Sequence, residues 1–183
     1  MPTFPQLSPA RLQPGLSSGL MNPVALDLRL PPDWEAILAA WEPCHEALSK
    51  AGLSREEAES LCMVARELLE NAVKYGAYAR GELIDLVVRI GPEDVTIEVK
   101  NPVGGGPEQV RRVREALRSL RGDDPLQAYV ERMRALARGP AEEAGGLGLA
   151  RIACEGRGLL DFRLDGDGKL AVSAVWLRGG KGS

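Results

Sequence analysis

Aromatic side chains are scarce in this sequence: two Phe, three Tyr and three Trp among 183 residues. With no stacking platform, and a net charge of -3 built from interspersed signs, the chain lacks the footprint of a nucleic-acid binder, so no such partner is expected. No apolar run reaches the roughly 18 to 20 residues that span a bilayer, so no membrane partner is expected either. The first residues include Pro and Ser but neither a positively charged opening nor an apolar signal core, which points to a cytoplasmic protein. Histidine is nearly absent: His45 stands alone in CHEALS, with no second His four residues later to make a zinc motif. The three cysteines, Cys44, Cys62 and Cys154, are odd in number and widely spaced. They read as reduced, buried thiols and not as a disulfide or metal framework. A P-loop is excluded, because no Walker A pattern occurs.

What remains is enough for one domain with an apolar core. Residues 1 to 22, with Pro2, Pro5, Pro9 and Pro14, cannot build a periodic face and read as a flexible arm. Val24 to Leu30 alternates as a strand that Pro31 and Pro32 end. Asp33 is placed to cap a helix running to about Lys50, kinked by Pro43, and Gly52 closes it. Ser54 and Glu57 form a capping box for a second, longer helix. Leu83 to Ile90 and Val95 to Lys100 alternate about a Gly91-Pro92-Glu93-Asp94 turn, an antiparallel hairpin with one polar face per strand. Residues from about 103 to 145 hold two charged helical segments split at Gly122-Asp123-Asp124-Pro125 and read as an excursion from the sheet. A short helix opens near Gly148, a hairpin of Leu159 to Leu164 and Leu170 to Leu177 follows, and residues 179 to 183 form a tail. Helices segregated onto one face of a mixed, mostly antiparallel sheet make an α+β two-layer sandwich over residues 23 to 178.

The longer helix concentrates the chemistry. Glu67, Glu70, Asn71 and Lys74 recur three, four and seven residues apart and share one side. Leu61, Ala65, Leu68, Ala72 and Tyr75 recur on the other, broadened by Cys62, Leu69 and Val73 into a face for the sheet. Such a polar stripe is either solvated surface or a site. Asn71 is the residue that ordinary surface does not explain, since a mid-helix Asn competes for backbone hydrogen bonds. Its amide oxygen is a hard ligand suited to Mg2+, and a Glu one turn earlier is placed to take a proton beside a phosphate. Further on, Gly145-Gly146-Leu147-Gly148 opens a helix, where backbone N–H groups and the helix terminus favour an anion; equally, the glycines could hinge the preceding arm.

In their order, these pieces resemble the N box (ELLENAVKYG), G1 box, lid and G2 box (GGLGLARI) of the GHKL ATPase superfamily, the Bergerat ATP-binding fold. The resemblance spans roughly Val24 to Leu177 and lies nearest the anti-sigma-factor serine kinases. It implies ATP and Mg2+ as cofactors, with Asn71 on the metal and Glu67 as general base. It implies Lys74 and Tyr75 near phosphate or covering the nucleotide, and Gly146, Gly148 and Leu149 around the phosphates at the lid hinge. It also implies a regulatory protein partner of sigma-factor or anti-sigma-antagonist type, and a homodimer. Glu70 is offset by about 100 degrees from Asn71 at the helical turn of 3.6 residues and is not the expected base.

The G1 box departs from the pattern. Asn101 stands where the family has an Asp that accepts from the adenine amino group, Val103 replaces the first glycine, and Gly105 alone matches. Losing the charge on that acceptor weakens the hydrogen bond by about 1 kcal/mol, less than a tenfold change in affinity. Two functions therefore stand: a serine/threonine kinase acting on a regulatory partner, and a degenerate GHKL module that binds its partner without ATP turnover.

Overall fold

The computed structural model describes residues 21–102, 108, 111, 159–164 and 169–178. Strand β1 (Val24–Leu30) leads to helices α1 (Trp34–Ala39), α2 (Trp41–Lys50) and α3 (Arg55–Tyr75). Strands β2 (Ile84–Ile90), β3 (Asp94–Pro102), β4 (Leu159–Leu164) and β5 (Lys169–Leu177) complete the described elements. They form one sheet in the order β1-β2-β3-β5-β4, and all four pairings are antiparallel. The expected two-layer α+β sandwich is the observed fold, without a parallel pair among the described strands. The arm before residue 21, the tail after 178 and, apart from Glu108 and Arg111, the lid region lie outside the described residues.

The helix starts follow from their caps. Asp33, in extended conformation, accepts the Ala36 N–H at 2.7 Å. Ser54 and Glu57 close a reciprocal capping box, with the Ser54 N–H 2.8 Å from Glu57 Oε2. The first helical run differs from expectation in being two helices joined at Ala40, three residues before Pro43. The reason is the proline: it has no N–H to offer the Ala39 carbonyl and its ring presses on that carbonyl, so the chain is redirected one turn ahead of it. The Cys44 N–H resumes the helical pattern on the Ala40 carbonyl at 3.2 Å.

The helices cover one face of the sheet. Leu61, Ala65, Leu68, Leu69 and Ala72 of α3 are buried with Ile84, Leu86 and Val88 of β2 and with Val95, Ile97 and Val99 of β3. Leu48 of α2 and Ile37 of α1 join the same core. The expected polar face of β3 proves to be buried as well: Thr96 and Glu98 are enclosed. Glu98 is tolerated there because Arg163 of β4 meets both its oxygens, at 2.5 and 3.2 Å, and Ser173 Oγ lies 3.2 Å away. Among the described residues no helix is long and apolar enough to cross a membrane.

Candidate functional site

Helix α3 carries the candidate residues along the side away from its core stripe. Glu67 and Asn71 are half-buried and one turn apart, which sets their side chains next to one another on the helix surface. The Asn71 amide has a buried atom, Nδ2, without a hydrogen-bond partner among the described residues. Because amide nitrogen and oxygen are assigned from their surroundings, the observation concerns the end of the side chain: one polar atom is enclosed and unmatched. An enclosed amide of this kind is costly in a packed structure unless something polar meets it.

Glu70 and Lys74 have other engagements. Glu70 lies between Arg66, at 2.9 Å, and Lys74, at 3.4 Å, in an (i, i+4) ladder along the helix. The Lys74 ammonium also sits 5.6 Å above the centroid of the Trp34 ring in α1. The ladder accounts for Glu70 as a structural carboxylate, held by two cations. Lys74 is thereby turned toward α1.

Tyr75 is exposed, and here the apolar stripe read from the sequence needs correction. It ends at Ala72, and the half-buried aromatic beyond it is Tyr78, whose hydroxyl donates to the Ala72 carbonyl at 2.8 Å. Gly76 makes the exchange possible: a Cβ there would overlap the Tyr78 ring and the Ala72 carbonyl. The chain then runs back to the sheet, where the Ala77 N–H donates to the Pro102 carbonyl at 3.2 Å. This bond brings the exit of α3 to the end of β3, which carries Asn101. The Asn101 side chain is buried, and its Nδ2 donates to the Pro102 carbonyl at 3.0 Å, which turns the amide oxygen into its remaining acceptor.

The candidate residues that are described are therefore Glu67, Asn71 and Tyr75 on α3, Lys74 beside them, and Asn101 at the strand end. Gly105, Gly146, Gly148 and Leu149 lie outside the described residues. ATP with Mg2+ fits the donor set that is described. Asn71 presents an amide with one enclosed atom left unmatched and an oxygen of the type that ligates Mg2+, Glu67 adds a carboxylate, and Asn101 offers a neutral acceptor. Trp34 is the residue that sequence reasoning missed. Its spacing from the site hides the contact, since α1 reaches α3 only through the tertiary fold.

Fold and site together define an α+β two-layer sandwich with a polar helix facing the end of a central strand. No family model matches the sequence, and no curated protein matches it significantly. Among solved structures, the chain is similar in fold to one described as the SiaB-SiaC complex from Pseudomonas aeruginosa. The TM-score is 0.57 at 16% identity, over 95% of this chain and 100% of that chain.

Proposed function

We propose that the protein is an ATP-binding regulator that transfers the γ-phosphate to a serine or threonine of a partner protein, as the anti-sigma-factor kinases that its sequence resembles would imply. The observation that carries this reading is the half-buried Glu67 beside an Asn71 amide with an enclosed atom left unmatched. The fold likeness to a chain from a two-protein complex supports a protein partner.

Mg2+–ATP, when bound, supplies the phosphoryl group and a cation that neutralises the charge on its oxygens. Asn71 would hold the cation through its amide oxygen. Asn101 would accept from the adenine amino group, and Glu67 would receive the proton of the attacking hydroxyl. Positioning does most of the work, because phosphoryl transfer asks little covalent chemistry of the protein. A second reading, a partner-binding module without turnover, is favoured by Lys74, whose ammonium is shared between Glu70 and Trp34.

Titration calorimetry of Mg2+–ATP into the purified protein separates the two. The kinase reading expects micromolar binding that Asn71→Ala removes and Glu67→Gln retains, with γ-phosphate transfer to the partner abolished in the Glu67 variant. Absence of binding at millimolar ATP would overturn the kinase reading and favour the module, and the next step would be to find the protein it holds.

A further inference from the structure

Cys44 of α2 and Cys62 of α3 take no part in the site above. Far apart in sequence, the two thiols come together between the helices, close enough for each to shift the other's ionisation. Cys62 donates its S–H to the Trp41 carbonyl at 4.0 Å. Both residues are buried, at 1% and 2% exposure, yet both line a cavity of about 220 Å3 between the three helices and Leu86 of β2. Leu38, Trp41 and Arg66 line the same cavity and are exposed, which gives it a mouth. The space is several times the roughly 30 Å3 share of one water molecule, so it has room for a solute little larger than water beside the two cysteines. No third His, Cys, Asp or Glu joins the pair into a metal-binding group among the described residues, so the tetrahedral zinc set is not formed there.

We propose that Cys44 and Cys62 are an oxidisable pair that a small hydroperoxide closes to a disulfide, stapling α2 to α3. In the first step the Cys62 thiolate attacks the peroxide O–O bond. Sulfur loses two electrons to the peroxide, which leaves as hydroxide or alkoxide, and a sulfenic acid remains on Cys62. In the second step the Cys44 sulfur attacks that sulfenic sulfur, the S–S bond forms and water departs with the Cys44 proton. The order of attack follows from the asymmetry of the pair: the interaction with Cys44 lowers the pKa of Cys62, while the interaction with Cys62 and burial raise that of Cys44. The staple ties down the helix whose other side carries Glu67 and Asn71. The inference stands independently of any nucleotide chemistry at those residues.

The test treats the full-length protein with hydrogen peroxide, alkylates residual thiols in denaturant and maps the peptides by mass spectrometry. The expected result is a peptide pair linked through Cys44 and Cys62, with Cys154 alkylated and the intact mass lower by two hydrogens. Cys44→Ser should stop the reaction at a dimedone-reactive sulfenic acid on Cys62. The wild-type protein alone suffices to overturn the proposal: it fails if Cys44 and Cys62 stay alkylatable in excess peroxide, or if the disulfide formed includes Cys154.

Discussion

Tyr78 closes the exit of α3 with one hydroxyl. It donates to the Ala72 carbonyl, and burial, followed by the nearby Glu82 carboxylate, pushes its pKa up to about 12. A phenol that is harder to ionise in the folded chain stabilises the fold below its ordinary pKa of 10.0, and that contribution is lost as pH rises toward about 12. Tyr78→Phe should therefore remove an alkaline loss of stability between those values, seen as a flatter Tm against pH. Near neutral pH it should cost about 0.5–1.5 kcal/mol for the lost hydrogen bond. The same position shows where periodicity misleads. Tyr75 follows Ala72 at helical spacing and reads as core, but Gly76 ends the helix and hands the place to Tyr78. The Arg66–Glu70–Lys74 ladder, by contrast, is legible in the sequence, because (i, i+4) charge pairs need no tertiary knowledge.

At the scale of elements, local chemistry is the most legible part of the sequence. The capping box at Ser54, the Asp33 cap and the Gly91 turn are all fixed by residues within a few positions of one another. In the box, hydrogen bonds from the Ser54 backbone, then from its side chain, hold the Glu57 carboxyl below the usual glutamate range. That contribution is present above the ordinary glutamate pKa and is lost as pH falls through the lowered one. Ser54→Ala should cost about 1 kcal/mol in urea denaturation with an unchanged m-value. The difference from wild type should shrink in acid as Glu57 is protonated. From sequence the break at Ala40 reads as a kink, because Pro43 signals an interruption without saying where the chain will turn.

For the whole molecule, the polar side of β3 decides more than its sequence suggests. Alternation of Thr96, Glu98 and Lys100 reads as a solvated face, yet Glu98 is enclosed at 2% exposure. The reason is topological: β5 and β4 bring Ser173 and Arg163 onto that side from far along the chain. Arg163→Ala leaves the Glu98 carboxylate with Ser173 and with Lys100, 3.6 Å away. Because Arg163 is itself partly exposed, the expected cost is on the order of 2 kcal/mol, below that of breaking a fully enclosed pair, and chemical denaturation checks it. The candidate site was legible only in part, for the same reason. Glu67 and Asn71 stand out from helical spacing, whereas the meeting of α3 with Asn101 and of Lys74 with Trp34 depends on which elements the fold brings together.

Strand β3 is hydrogen-bonded to neighbours on both edges and enclosed on both faces, and Asn101 lies at its end, bound to the exit of α3 through Pro102. The floor of the site is thus ordered by the same contacts that hold the domain together. A ligand of the proposed kind at Asn101 would meet a preorganised group, and the entropy of fixing that group is already counted in folding and would not weaken binding.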